Sequence, residues 1–212
     1  MIVDFSGSLS KQTALYVGID DKLVGIITFT DTVRPESKRT IQRLQQAGIT
    51  PLVMLTGDKE AIAQTIAQKV GLTKVYADCL PQDKIVHIKT LSHENGPVMM
   101  VGDGVNDAPA LATADIGIAM GSNGASAASD SADVVILKDD LSKVADIVFI
   151  SKHTMTIAKQ SVLLGLLVCV VLMVIASFGI IPTLIGAMLQ EIVDTVSILS
   201  ALRARRVKSL KK

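Results

Sequence analysis

The sequence predicts an α/β domain, a parallel sheet with helices on both faces, followed by an α-helical transmembrane hairpin. Three observations carry that expectation. Short β-rich runs alternate with helical patterns through the first 150 residues, the order that builds a parallel sheet. No residue between Lys159 and Glu191 is charged. Charge is also divided along the chain: residues 1–150 carry 13 basic and 18 acidic side chains, a net of −5, whereas residues 151–212 carry 8 and 2, a net of +6. With 212 residues, 49% apolar and 3% aromatic, the chain is neither disordered nor collagen-like. An acidic body with a basic, apolar tail argues against nucleic acid as a partner. Cys79 and Cys169 lie far apart with no CxxC spacing, so neither a disulfide framework nor a zinc site is expected, and a reducing cytosol suits the body.

Taken in order, the expected strands are Thr13–Val17, Leu23–Thr28, Pro51–Leu55, Val75–Ala77, Pro97–Val101, Ile116–Ala119 and Val134–Leu137. Ser37–Ala47 and Glu60–Val70 carry helical periodicity, with Gly48 and Gly71 as stop signals. Pro81 opens a further helix, a common first-turn position. Ser161–Ile181 is long and apolar enough to cross a hydrocarbon core, which needs about 20 such residues. Gly179 and Pro182 mark a tight turn, after which a second span runs from Leu184 to Leu202. Lys152 and Lys159 precede the pair, and Arg203, Arg205, Arg206 and Lys208 follow it, so both ends are expected in the cytoplasm. Within the second span, Gln190, Glu191 and Asp194 share a helical face. Two acids inside a bilayer are costly and point to a bundle interior or an ion pathway. A half-inserted helix with both acids at the interface is the alternative.

Ligands of a parallel sheet collect at the carboxyl ends of its strands, so chemistry is expected after Leu55 and after Val101. Leu55 is followed by Thr56-Gly57-Asp58-Lys59, and Val101 by Gly102-Asp103-Gly104-Val105-Asn106-Asp107-Ala108-Pro109-Ala110-Leu111. A hydroxyl and free backbone amides at a strand end hold phosphoryl oxygens, especially where a helix starts. Asp103 and Asp107, four apart on a glycine-bracketed loop, can converge on Mg²⁺, which takes oxygen ligands and keeps several waters. Lys84, at a helix start in Pro81-Gln82-Asp83-Lys84, adds a cation for the same phosphate.

GDGVNDAPAL, with the upstream TGDK, PQDK and DTVRPE (Asp31–Glu36), resembles the phosphorylation domain of P-type ATPases, members of the haloacid-dehalogenase-like superfamily. The resemblance extends over essentially the whole chain. It implies an enzyme in which ATP phosphorylates an aspartate and the aspartyl-phosphate cycle drives ion movement. By that likeness Thr56 and Gly57 contact the phosphoryl group and Lys84 neutralises it. Asp103 ligates Mg²⁺, Asn106 and Asp107 complete its shell, and Asp58 and Asp31 support the hinge to the nucleotide-binding domain. Residues 1–22 then end that domain or form a linker, residues 23–150 are the phosphorylation domain, and residues 151–212 are the membrane hairpin with its basic tail.

Two spans after this domain, and an acidic cluster in the last, resemble the heavy-metal branch rather than the calcium and sodium pumps. The likeness implies a multi-pass protein of the cell membrane, with Glu191 and Asp194 as ligands of a transported divalent or monovalent heavy-metal cation. Cys169 reads more simply as a packing residue. The family's nucleophile motif, Asp-Lys-Thr-Gly-Thr, does not occur here, nor do Thr-Gly-Glu or the intramembrane Cys-Pro pair. The expectation is therefore the C-terminal part of a pump, partnered by membrane lipid and the remaining N-terminal part, and inactive alone. The alternative is a non-catalytic, membrane-anchored Mg²⁺- or phosphate-binding remnant or partner module. His87, His93 and His153 show no metal-ligand spacing, and Gly121–Ser131 lacks the ending of a phosphate loop.

Overall fold

The computed structural model describes residues 13–19, 22–29, 32–102, 105–121 and 130–205. The chain separates into two compact units, Met1–Ala145 and Asp146–Lys212. The first opens with an antiparallel hairpin of β1 (Thr13–Ile19) and β2 (Lys22–Phe29). This differs from the sequence expectation in one respect. A boundary at residue 22 would cut the hairpin in two, because Ile19 pairs with Lys22 and Thr13 with Phe29. Residues 23–29 therefore belong with β1 and do not join the parallel sheet.

The parallel sheet follows. α1 (Ser37–Gln46) precedes β3 (Val53–Leu55), α2 (Glu60–Val70), β4 (Lys74–Tyr76), α3 (Pro81–Asn95) and β5 (Met99–Gly102). A 3-10 turn (Val105–Asp107) leads to α4 (Ala108–Thr113), β6 (Ile116–Met120) and β7 (Val134–Ile136). β3 pairs in parallel with β4, and β5, β6 and β7 form a second parallel set in that order. Among the described residues these are two separate ladders, not one continuous sheet. Their burial differs accordingly. Gly117–Met120 of β6, flanked on both sides, are buried, while every residue of β3 and β5 is only half-buried. The apolar core is formed by helix faces and β6, with Ile88, Leu111, Ile118 and Val144 almost wholly enclosed. This burial is what the helical periodicity of the sequence encodes.

α5 (Ser142–Ser177) and α6 (Thr183–Ala201) are both long and apolar enough to cross a membrane. The first apolar run stops at Ser177 rather than Ile181. Phe178 and Gly179 turn back to donate to the carbonyls of Ile175 (3.3 Å) and Ala176 (2.9 Å), and Gly179 takes φ +70°, which glycine adopts without a Cβ penalty. The two helices meet through small and polar residues. Ser161 Oγ donates to Ser200 Oγ at 3.3 Å, and Cys169 and Gln190 exchange contacts at 3.2–3.4 Å. A Cβ on Gly165 would lie 2.9 Å from Ser197 Oγ. Small residues let membrane helices approach closely. Leu163, Leu166, Leu167, Met173 and Leu184 face outward, as lipid would favour.

Candidate phosphate site and intramembrane acids

Thr56 follows the last residue of β3, and its N–H completes the ladder to the Tyr76 carbonyl at 3.0 Å. Its hydroxyl donates to Asp58 Oδ2 at 2.8 Å and accepts from the Asp58 N–H at 3.1 Å. A rotatable hydroxyl is thereby held in one orientation at the strand end. The following backbone closes over it. Cys79 N–H donates to the Thr56 carbonyl at 3.0 Å and Asp78 N–H to the Asp58 carbonyl at 2.8 Å. Asp78 takes φ +50° to do so, a left-handed conformation that Asp tolerates better than most residues. Gly57 sits beneath this crossing, where a Cβ would be 3.4 Å from the Cys79 carbonyl. Burial pushes the Cys79 thiol above its usual range, and the neighbouring Asp83 charge pushes the same way against Lys84. Cys79 is thus a packed thiol rather than a thiolate.

That crossing delivers the chain into α3. Pro81 is its first residue, and the Asp83 carboxylate accepts from the Leu80 N–H at 2.9 Å, satisfying a donor at the helix start. Lys84, one residue on, reaches the loop after β5 and donates to Asp107 Oδ1 at 2.6 Å, with both side chains about 15% exposed (15% and 14%). A Cβ on Gly102 would lie 2.9 Å from both Cβ and Oδ2 of Asp107. Glycine is required there because the Asp107 carboxylate occupies that space. One chain of bonds therefore joins the ends of β3 and β5: Thr56 to Cys79, Cys79 by sequence to α3, and Lys84 to Asp107.

Of the residues singled out by sequence, Thr56, Gly57, Asp58, Lys84 and Asp107 come together in this site. Asn106 is exposed in the 3-10 turn beside it. Asp31 and Asp103 lie outside the described residues. What remains of the DTVRPE run is clasped to a distant loop. Arg34 pairs with Asp139, and Glu36 accepts from the Leu141 N–H at 3.2 Å. In the second unit Gln190 joins Cys169 to Asp194, donating to Asp194 Oδ1 at 3.3 Å, while Glu191 is exposed on the same helix. Among the described residues no three His, Cys, Asp or Glu side chains gather closely enough to hold a metal.

The family model for haloacid dehalogenase-like hydrolases matches residues 4–115, and a second model of the same description matches residues 84–148. The chain belongs to the haloacid dehalogenase-like hydrolase family. Its relatives within that family are heavy-metal P-type ATPases. It is 40% identical over 200 residues to a probable cadmium-transporting ATPase of Listeria monocytogenes, covering 94% of this chain and 28% of that protein. It is 44% identical over 169 residues to the zinc-transporting ATPase of Bacillus subtilis, covering 80% and 26%. The structure superposes on that of a zinc-transporting PIB-type ATPase in its E2.Pi state with a TM-score of 0.80 and 31% identity, covering 92% of this chain and 32% of that one. The chain thus spans between a quarter and a third of the length of these relatives.

Sequence reasoning named Asp58 as a hinge residue, and the structure places its carboxylate on the Thr56 hydroxyl. It missed Asp78 and Cys79, which supply the crossing, and Gly102, which makes room for Asp107. The Gly102 signal was present, as a glycine between a strand and an Asp-rich loop. No sequence signal pairs Arg34 with Asp139, 105 positions apart.

Proposed function

We propose that this chain is the phosphate-handling part and a membrane hairpin of an ATP-driven heavy-metal-cation transporter, acting with the rest of the pump polypeptide. The observation that carries the reading is the bonded path from Thr56 through α3 to Lys84 and Asp107, at the ends of two parallel ladders. An oriented hydroxyl, a helix N-terminus and a half-buried ammonium are what a transferring phosphoryl group requires. Asp58, Asp83 and Asp107 outnumber Lys84 here, so a divalent cation is needed to admit a polyanionic substrate. The donor set fits Mg²⁺. Asp107 has one carboxylate oxygen engaged by Lys84 and a second in the space left by Gly102, and all donors are hard oxygens. Asp107 and Asp103 would hold the ion with Asn106 beside them, and bound Mg²⁺ supplies charge neutralisation at the phosphate.

In the proposed cycle an aspartate from outside this chain attacks the γ-phosphorus of ATP and ADP departs. Thr56 and the Gly57 N–H orient the transferred group, and Lys84 offsets its charge. Asp58 fixes the Thr56 hydroxyl, and Asp31 belongs with it at the hinge to the nucleotide-binding domain. Asp194, positioned by Gln190, and Glu191 contribute to the site for the transported cation, completed by other spans. The pump lies in the cell membrane with the phosphate site on the cytoplasmic side.

The test mixes this chain with an N-terminal polypeptide carrying the nucleophile, in the presence of labelled ATP, Mg²⁺ and a panel of heavy metals. Metal-dependent phosphoenzyme that requires both pieces, and that Asp103→Ala abolishes, is the expected result. No label from two folded and associated pieces contradicts the reading and favours a non-catalytic module.

A further inference from the structure

Between α5 and α6 a thiol, an amide and a carboxylate stand in one line. Cys169 lies midway between Ser161 and Ser177 in the apolar run, and Gln190 of α6 meets it there, both half-buried. One turn further along each helix are the half-buried apolar residues Leu172 and Val193. The Cys169 thiol donates to Gln190 Oε1 at 3.4 Å and accepts from Nε2 at 3.2 Å. Nε2 also donates to Asp194 Oδ1 at 3.3 Å. Helix association does not account for this line. Ser161 with Ser200, and Gly165 beside Ser197, already join the helices through small residues. An amide at mid-span is costly in lipid, and this one ties the seam to a carboxylate exposed on α6.

We infer that Cys169 and Gln190 select the cation, Cys169 as its sulfur ligand and Gln190 through Oε1, and that the ion is a thiophilic divalent one such as Cd²⁺ or Zn²⁺. The inference rests on the proposed function for that ion being the cargo. Sulfur at about 2.3 Å and oxygen at about 2.1 Å from a tetrahedral ion stand about 3.6 Å apart. Sγ and Oε1 are already 3.4 Å apart. The thiol proton lies between these two atoms, in the place the ion takes. On binding, the S–H bond breaks, the proton leaves to water, and the sulfur electron pair forms the metal bond. Nε2 keeps its bond to Asp194, which holds Oε1 toward the ion. A thiolate with a carboxylate behind it brings at least two negative charges, which suits a divalent ion better than a monovalent one in a medium that penalises net charge. Thiolate sulfur favours Cd²⁺ and Zn²⁺ over the harder Mn²⁺. The structure thereby gives Cys169 a role beyond filling the seam.

The test titrates the full chain in detergent with Cd²⁺ alone and records the ultraviolet thiolate-to-Cd²⁺ charge-transfer band. That band reads the Cd–S bond itself and does not require ligands from other spans. Cys79 is retained throughout, so a band from either thiol is told apart by substitution at Cys169. The parent chain should give a saturable band that persists under a roughly 100-fold excess of Mn²⁺. Cys169→Ser should lose it, and Gln190→Leu should need about tenfold more Cd²⁺ or greater, with helix content by circular dichroism unchanged. Protection of Cys169 from maleimide labelling by Cd²⁺, located by mass spectrometry, reads the same ligand without any substitution. No band in the parent, a band that survives Cys169→Ser, displacement by Mn²⁺, an unmoved titration in Gln190→Leu or a Cys169 that Cd²⁺ fails to protect would overturn the assignment. The expected band and protection, together with no metal-dependent phosphoenzyme in the reconstituted pair, would count against the proposed function while the ligand assignment holds.

Discussion

The two units of this chain use polar groups in opposite ways. In the first, helix faces and β6 enclose a core around Ile88, Leu111 and Ile118, although the β1–β2 hairpin leaves Leu15, Tyr16 and Ile19 exposed, and the polar groups of the site hold one another: Thr56 with Asp58, and Lys84 with Asp107. In the second, apolar side chains face outward, the inner seam is small and polar, and Glu191 and Asp194 are exposed on α6. The candidate phosphate site gathers Thr56, Asp58, Lys84 and Asp107 within one unit. Among the described residues of the second unit, Glu191 and Asp194 have no further His, Cys, Asp or Glu gathered with them closely enough to hold a metal. Charge inside a bilayer needs such neighbours, so the first unit can be judged from its own geometry, and the second only with other spans.

The largest expected effect lies in the first unit. Lys84→Met leaves the Asp107 carboxylate mostly buried without its ion partner, a loss on the order of 3 kcal/mol of stability. In the reconstituted pair it also removes the phosphoenzyme. Chemical denaturation and labelled ATP read the two effects, and unchanged labelling would break the assignment of Lys84 to the phosphate. Asp194→Asn should act on the other side of the comparison. It raises the heavy-metal concentration needed for half-maximal labelling by about 10-fold or more, the scale of a lost metal contact, while the ATP dependence stays put. A shift in both concentrations would merge the roles assigned to the two units.

Gly102→Ala sharpens the account of the first unit. The added Cβ meets Asp107 at 2.9 Å, and moving the carboxylate should cost about 1–3 kcal/mol and raise the Mg²⁺ requirement for labelling. Melting curves and a Mg²⁺ titration measure both. The smallest effect concerns Asp115, away from the site. The Val98 N–H at 2.7 Å, and then the Ser92 hydroxyl at 3.0 Å, hold its carboxyl below the usual range. A lowered folded-state pKa contributes stability that is present above the unfolded value of about 3.9 and is lost as pH falls through the folded value. Melting temperature should therefore fall less steeply from pH 5 to pH 3 in Asp115→Asn than in the parent chain. Equal slopes would remove Asp115 from the acid response.

Much of this was legible in the residues. The strand positions follow from short β-rich runs, and the candidate site that gathers Thr56, Asp58, Lys84 and Asp107 was sought at strand ends, where parallel sheets place ligands. Ser161 onward announces a membrane span through composition alone. Other features depend on contacts that no local pattern encodes. The hairpin of β1 and β2 is set apart from the sheet by a pairing choice, as its runs suit either arrangement. The break between β3 and β5 is likewise invisible, because a strand's sequence does not say how many neighbours it has. The turn between the two spans is legible in Gly179 and Pro182, whereas the apolar Phe178, Ile180 and Ile181 conceal that the helix itself ends at Ser177.

The central claim is that this chain supplies the phosphate site and another polypeptide segment supplies the acceptor. The most direct test is to locate the phosphoryl group by mass spectrometry after acid quench of the reconstituted, metal-activated pair. Phosphorylation confined to the N-terminal polypeptide, with every aspartate of this chain unmodified, is the predicted result. An acid-stable phosphoryl group on an aspartate of this chain would contradict the claim and place the acceptor within its own loops.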